Sequence, residues 1–245
     1  MLEIGRVLEV WRYPVSSVGG EMSDALRLSP GGVAGDRLFG LYDRASRCPA
    51  APEQEPRWRA ALNLSSVLCD RPLPGLRFPE RGPIALDDPC LPQHLTEHFG
   101  FDVGIAAHSG SMQSTEMRLP VIAPRYAVSP LHLLTTASLR ALETMTGIAS
   151  VDRRRFRPSV LIETDGEVFI ENDWVGQTLT IGRVEVTVSE RTRRCGMTLV
   201  SQPGLEEEPN VLRAIMRHNA RSLGVYATPR GSGSISVGDR VYAGT

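Results

Sequence analysis

The chain of 245 residues contains no lysine: all 27 of its basic residues are arginine, set against 28 acidic residues for a formal net charge of −1. Without an ε-amino group there is no Schiff base to pyridoxal phosphate and no P-loop lysine to hold nucleotide phosphates. Every fixed cation is a guanidinium, suited to forked contacts with phosphate or carboxylate. Cysteine is scarce, four residues at 48, 69, 90 and 195, with no CxxC pair. That excludes a ferredoxin-type cluster and reads as free thiols in a reducing cytosol. No 18-residue apolar run occurs and the N-terminus lacks a signal core, so no membrane span and a cytoplasmic location are expected. The balanced charge removes the phosphate attraction on which nucleic-acid binders rely.

What is present is ordinary globular composition, 41% hydrophobic and 22% charged, long enough for one large domain or two small ones. Leu2–Val10 alternates at period two, and 37–42 and 61–68 are further strand candidates between glycine- and proline-rich loops. A short helix is expected after Pro92, ending at Gly100. A clearer one is capped by Thr135 or Thr136, shows Leu139, Leu142 and Met145 on one face, and stops at Gly147. Strands are expected at 159–164, 178–181, 184–189, 197–201, 223–228, 235–237 and 240–242, with a helix over 209–220 facing inward through Leu212, Ile215 and Met216. This pattern predicts a mainly β protein with a few helices (α+β), a barrel-like domain over 1–115 and a second β-barrel over 116–245, divided in the polar run at 109–116.

Cys195 follows a strand in a run with Arg191, Arg193 and Arg194, where cations favour a thiolate that can act as nucleophile or soft-metal ligand. Arg153, Arg154, Arg155 and Arg157 form the densest basic run and suit a phosphorylated ligand, or else a solvated face. His94, Glu97 and His98 match the inverted zinc motif HxxEH, on a helix of under two turns with only Cys90 as a further ligand nearby. Gly31, Gly32 and Gly35 precede a strand, which is the wrong order for a dinucleotide loop, and read as a turn leading to Asp36 and Arg37. His132 can meet Cys195 only through folding.

Seven segments in order carry a resemblance: YPVSSVGG at 13–20, GVAGDRLFGLYD at 32–43, SPLHLLTTASL at 129–139, RFRPSVLIE at 155–163, ENDWVGQTLTIG at 171–182, RTRRCGMT at 191–198 and LGVYATPRGSGSISVGDRV at 223–241. Together they resemble the MOSC family, named after the C-terminal domain of molybdenum cofactor sulfurase, with its N-terminal β-barrel partner. The resemblance implies a molybdenum cofactor (Mo-molybdopterin) with Cys195 as the one protein thiolate on the metal. It implies cofactor binding by Ser17, Arg37, Ser129, Arg157 and Ser159, with Arg193 and Arg194 beside the ligand. Ser16 stands where the family carries lysine and Ser159 where it carries asparagine, so one phosphate cation is missing and Arg153–Arg155 are the candidates to replace it.

The implied activity is reduction of N-hydroxylated or N-oxide small molecules, with the cofactor supplying the redox chemistry. Electrons would come from a separate ferredoxin-, flavin- or cytochrome-type donor protein. The alternatives are sulfur transfer through a Cys195 persulfide, a scaffold that has lost its cofactor, and zinc hydrolysis through His94 and His98.

Overall fold

The computed structural model describes residues 1–68, 73–109, 119–126, 130–166 and 168–244. Seven strands close into a barrel. Around it run Val160–Glu163, Leu131–Thr135, Ser222–Pro229, Val184–Arg193, Thr178–Ile181, Arg240–Ala243 and Leu2–Arg12, which returns to Val160–Glu163. The interior is built by period-two alternation of branched side chains: Val184, Val186 and Val188 point in while Glu185 and Ser189 face out. The Leu2–Arg12 strand, grouped with the first half by its position in the sequence, is thus a wall of this barrel.

Two helices, Thr136–Thr146 and Pro209–His218, pack on each other against the barrel flank through Leu139, Leu142, Val211 and Ile215. The first is capped as its sequence predicts, by Thr135 accepting from Ser138 N and by Gly147 at φ 73°. Behind that cap lies the buried carboxylate of Glu171, which accepts from Thr135 Oγ1 (2.7 Å), Ser138 Oγ (2.6 Å) and Gly224 N (3.2 Å). It ties the helix start to the Ser222–Pro229 strand, and burial pushes its pKa up.

The remaining sheets belong mostly to the first half. A four-stranded sheet runs Val121–Ile122, Val103–His108, Phe39–Asp43, Val15–Ser16, beside a three-stranded one of Ser65–Val67, Gly75–Arg77 and Pro83–Ala85. Their core gathers around fully buried Trp58, met edge-on by Phe99 and Phe101 at 5.3 and 4.9 Å. The mainly β architecture, with three α-helices among the described residues, is the class expected, and no described helix is long and apolar enough to cross a membrane.

Several local expectations are corrected. Residues 61–68 are not one strand: a 3-10 helix, Pro56–Asn63, buries Trp58, Ala61 and Leu62 at helical spacing before the short strand Ser65–Val67. Residues 197–201 hold a 3-10 turn, Gly196–Thr198, and the preceding strand extends to Arg193. In the Pro209–His218 helix the buried face is Val211, Ala214 and Ile215, leaving Met216 exposed, and Met145 is exposed as well. The expected boundary at 109–116 falls largely outside the described residues.

Candidate active site

Between the barrel and the four-stranded sheet lies a cavity of about 450 Å³, within the roughly 300–1,000 Å³ usual for small-molecule and cofactor sites. Its described lining contains six arginines (37, 125, 155, 157, 193 and 194), one carboxylate, Glu53, and one thiol, Cys195. Cys195 is exposed, directly follows the Val184–Arg193 strand and accepts from Thr198 N through its carbonyl, which starts the 3-10 turn. Ser17, Arg37, Arg157, Arg193 and Arg194, singled out from scattered motifs, all reach this one cavity with it.

One expected contributor is placed differently. Ser159 is fully buried behind the wall, where its hydroxyl accepts from His132 N at 3.2 Å and so registers two barrel strands. Ser129 lies outside the described residues. The basic run divides. Arg153 pairs with Glu9 (2.8 Å) and Arg154 with Asp152 (2.8 Å), whereas Arg155 lines the cavity, donating to Glu206 O (2.6 Å). No set of three or more metal-ligating side chains exists among the described residues. His98 Nε2 instead donates to Ala60 O at 2.9 Å, and His94 lies against Arg81 and Glu97, which removes the zinc reading.

The cations are held mainly by backbone. Arg194 is buried and spends its donors on Leu223 O (2.7 and 3.0 Å), Phe156 O (2.9 Å) and His132 Nε2 (2.6 Å). Arg157 is half-buried, donates to Val18 O and stacks 4.2 Å over the buried Tyr13 ring, which Arg37 approaches at 5.2 Å. Lost hydration lowers both Arg157 and Arg194 to about 10, so both remain cations at neutral pH. Arg37 differs, since Asp36 pairs with it while also accepting from Tyr13 N at 2.6 Å.

At the rim, Glu53 accepts from Arg125 (2.7 Å) and Tyr126 Oη (3.1 Å). Burial would raise its pKa, but these bonds outweigh it and hold the carboxyl below its ordinary value. Glu53, Arg125, Tyr126 and His108 carry no local sequence signal, being isolated polar residues in unpatterned segments. Only the fold collects them.

The described lining of the cavity is thus rich in guanidinium groups, carries a single thiol and lies at the edge of a closed β-barrel. Residues 107–242 match the MOSC domain, and the chain belongs to that family. Mitochondrial amidoxime reducing component 2 of Bos taurus is 25% identical over 98% of this chain and 83% of its own length. The crystal structure of the YuaD protein of Bacillus subtilis shares the fold, with a TM-score of 0.52 over 97% of this chain and 93% of that one, at 11% identity.

Proposed function

We propose that this protein holds a molybdenum cofactor in the arginine-lined cavity, with Cys195 as its thiolate ligand, and reduces N-hydroxylated or N-oxide small molecules. The observation that carries the reading is that the cavity's one thiol, Cys195, is exposed among six arginines and a single carboxylate. A soft thiolate for the metal and guanidinium groups for an anionic, phosphate-bearing pterin are the donors such a group requires. The similarity to an amidoxime reducing component supports the choice of reaction.

When bound, the cofactor would supply two-electron redox chemistry and a centre that accepts the substrate oxygen. The chain's own residues do the rest. Arg37, Arg155, Arg157 and Arg193 neutralise negative charge, and Arg155 is the member of the 153–155 run that lines the cavity, where its charge makes up for Ser16. Arg194 supplies a buried positive charge next to Cys195 in the chain. His132 has both ring nitrogens engaged, by Arg157 O (3.3 Å) and Arg194, so it orients rather than exchanges protons. Glu53, Arg125 and Tyr126 shape the rim through which substrate enters. A separate electron-donor protein completes the cycle.

The test is metal analysis and pterin fluorescence on protein made in a host that synthesises the cofactor. About one molybdenum and one pterin per chain, both lost with N-reduction in Cys195→Ala, is the expected result. A persulfide on Cys195 in well-folded, molybdenum-free protein would replace this reading with sulfur transfer.

A further inference from the structure

Two histidines face this cavity from opposite walls in matching arrangements. On the sheet wall, His108 Nδ1 lies 3.0 Å from the carbonyl of Arg37, a residue at φ +50°. On the barrel wall, His132 Nδ1 lies 3.3 Å from the carbonyl of Arg157, at φ +55°. A carbonyl only accepts, so both rings carry their proton on Nδ1. Each ring also occupies the space left by a glycine. A Cβ on Gly40 would sit 2.4 Å from His108 Nε2, and one on Gly224 would sit 2.4 Å from His132 Nε2.

Left-handed backbone at a residue with a Cβ is strained and persists only where the surroundings impose it. In both walls the imposed residue is an arginine whose guanidinium comes over the face of the same Tyr13 ring. Two like charges are thereby brought together, with Asp36 as the carboxylate beside them. We infer that His108 and His132 are a matched pair of positioning residues, each pinning a left-handed arginine so that Arg37 and Arg157 converge on one anionic group in the cavity. Burial lowers the pKa of both rings and so favours their neutral form. This rests on the reading of the cavity as an anion site, and adds what aims its cations.

The experiment titrates inorganic phosphate into cofactor-free protein and follows the Nε–Hε signals of Arg37 and Arg157 by NMR. The wild type should show saturable shifts of both. Asparagine places an amide N–H where histidine has Nδ1, so His108→Asn and His132→Asn should retain affinity within about threefold. His108→Leu and His132→Leu should each weaken it by about tenfold, the effect of one lost hydrogen bond. Each leucine variant should also displace chiefly its own arginine's signal. Folding of every variant is checked by circular dichroism, and if a leucine variant fails to fold, the asparagine variants decide: loss of phosphate response there overturns the pairing. Folded leucine variants with unchanged affinity overturn it too, leaving the anion site standing. No response in the wild type overturns the anion site itself, and the pairing with it.

Discussion

The two walls of the cavity are made of unrelated secondary structure yet solve one problem alike. The sheet wall presents Arg37, His108 and Gly40, and the barrel wall Arg157, His132 and Gly224. They differ in two respects. Asp36 compensates Arg37, whereas Arg157 relies on Val18 O and the Tyr13 ring. Gly224 itself has φ +75° and a Cβ there would also meet Leu133 O at 2.6 Å, while the three atoms nearest a Cβ on Gly40 all belong to the His108 ring. The barrel wall is therefore the more rigid side, its arginine without a direct ion pair among the described residues, and the sheet wall is softer and partly neutralised. The same contrast appears within a few residues of sequence: Arg153 and Arg154 pair with carboxylates, and Arg155 and Arg157 line the cavity with backbone carbonyls as their partners.

The sharpest way to break this contrast is to add one methyl group to each wall. Gly224→Ala combines a left-handed penalty with overpacking against backbone, which together cost about 2–4 kcal/mol. Gly40→Ala requires only that the His108 ring shift, costing about 1–2 kcal/mol. Urea denaturation should rank Gly224→Ala as the more destabilised, and equal losses would show the walls to be equally stiff. Next in size is the loss of the arginines themselves. Arg157→Leu should weaken phosphate binding by about ten- to hundredfold, as expected for charge-assisted bonds worth roughly 1.5–3 kcal/mol. Arg37→Leu should cost less, because part of its charge is already committed to Asp36. Titration calorimetry on the two variants gives the order, and a reversed order contradicts the account.

Much of this was legible from residues alone. Period-two runs of branched side chains mark the barrel strands, Thr135 and Gly147 bracket a helix, and the ordered motifs bring Ser17, Arg37, Arg157, Arg193, Arg194 and Cys195 forward before any fold is known. What stayed hidden is what depends on long-range packing. Trp58 gives no local sign of its burial, because its partners Phe99 and Phe101 are some forty residues away. Ser159 sits in a binding motif, yet its hydroxyl faces His132 N across two strands, a direction no linear pattern conveys. Glu53 and Arg125 are far apart in the chain and meet only at the rim.

The histidines also predict a pH response. Burial lowers the folded-state pKa of His108, and burial together with the Arg194 charge holds His132 well below its ordinary 6.5. The unfolded chain then binds more protons than the native one as pH falls below that value. Stability is fully present above about 6.5 and declines on acidification, by up to about 1.4 kcal/mol per pH unit for each ring. Urea midpoints measured from pH 7.5 to 5 should fall, and should fall less steeply in His132→Asn. A flat profile in the wild type would mean that the rings accept protons without cost.

The smallest expected effect is the most specific to the comparison. Asp36→Asn keeps a side-chain oxygen for Tyr13 N but removes the countercharge on Arg37, making the sheet wall electrostatically like the barrel wall. Stability should drop by about 1 kcal/mol, because the like charges of Arg37 and Arg157 lose the carboxylate that lies beside both. Phosphate affinity should rise by about two- to fivefold, since the anion no longer competes with a carboxylate, and should fall more steeply with added salt. The two changes have opposite signs and one origin. Weaker binding in this variant would mean that Asp36 serves chiefly to orient Arg37, and that the sheet wall needs its carboxylate to aim the cation at all.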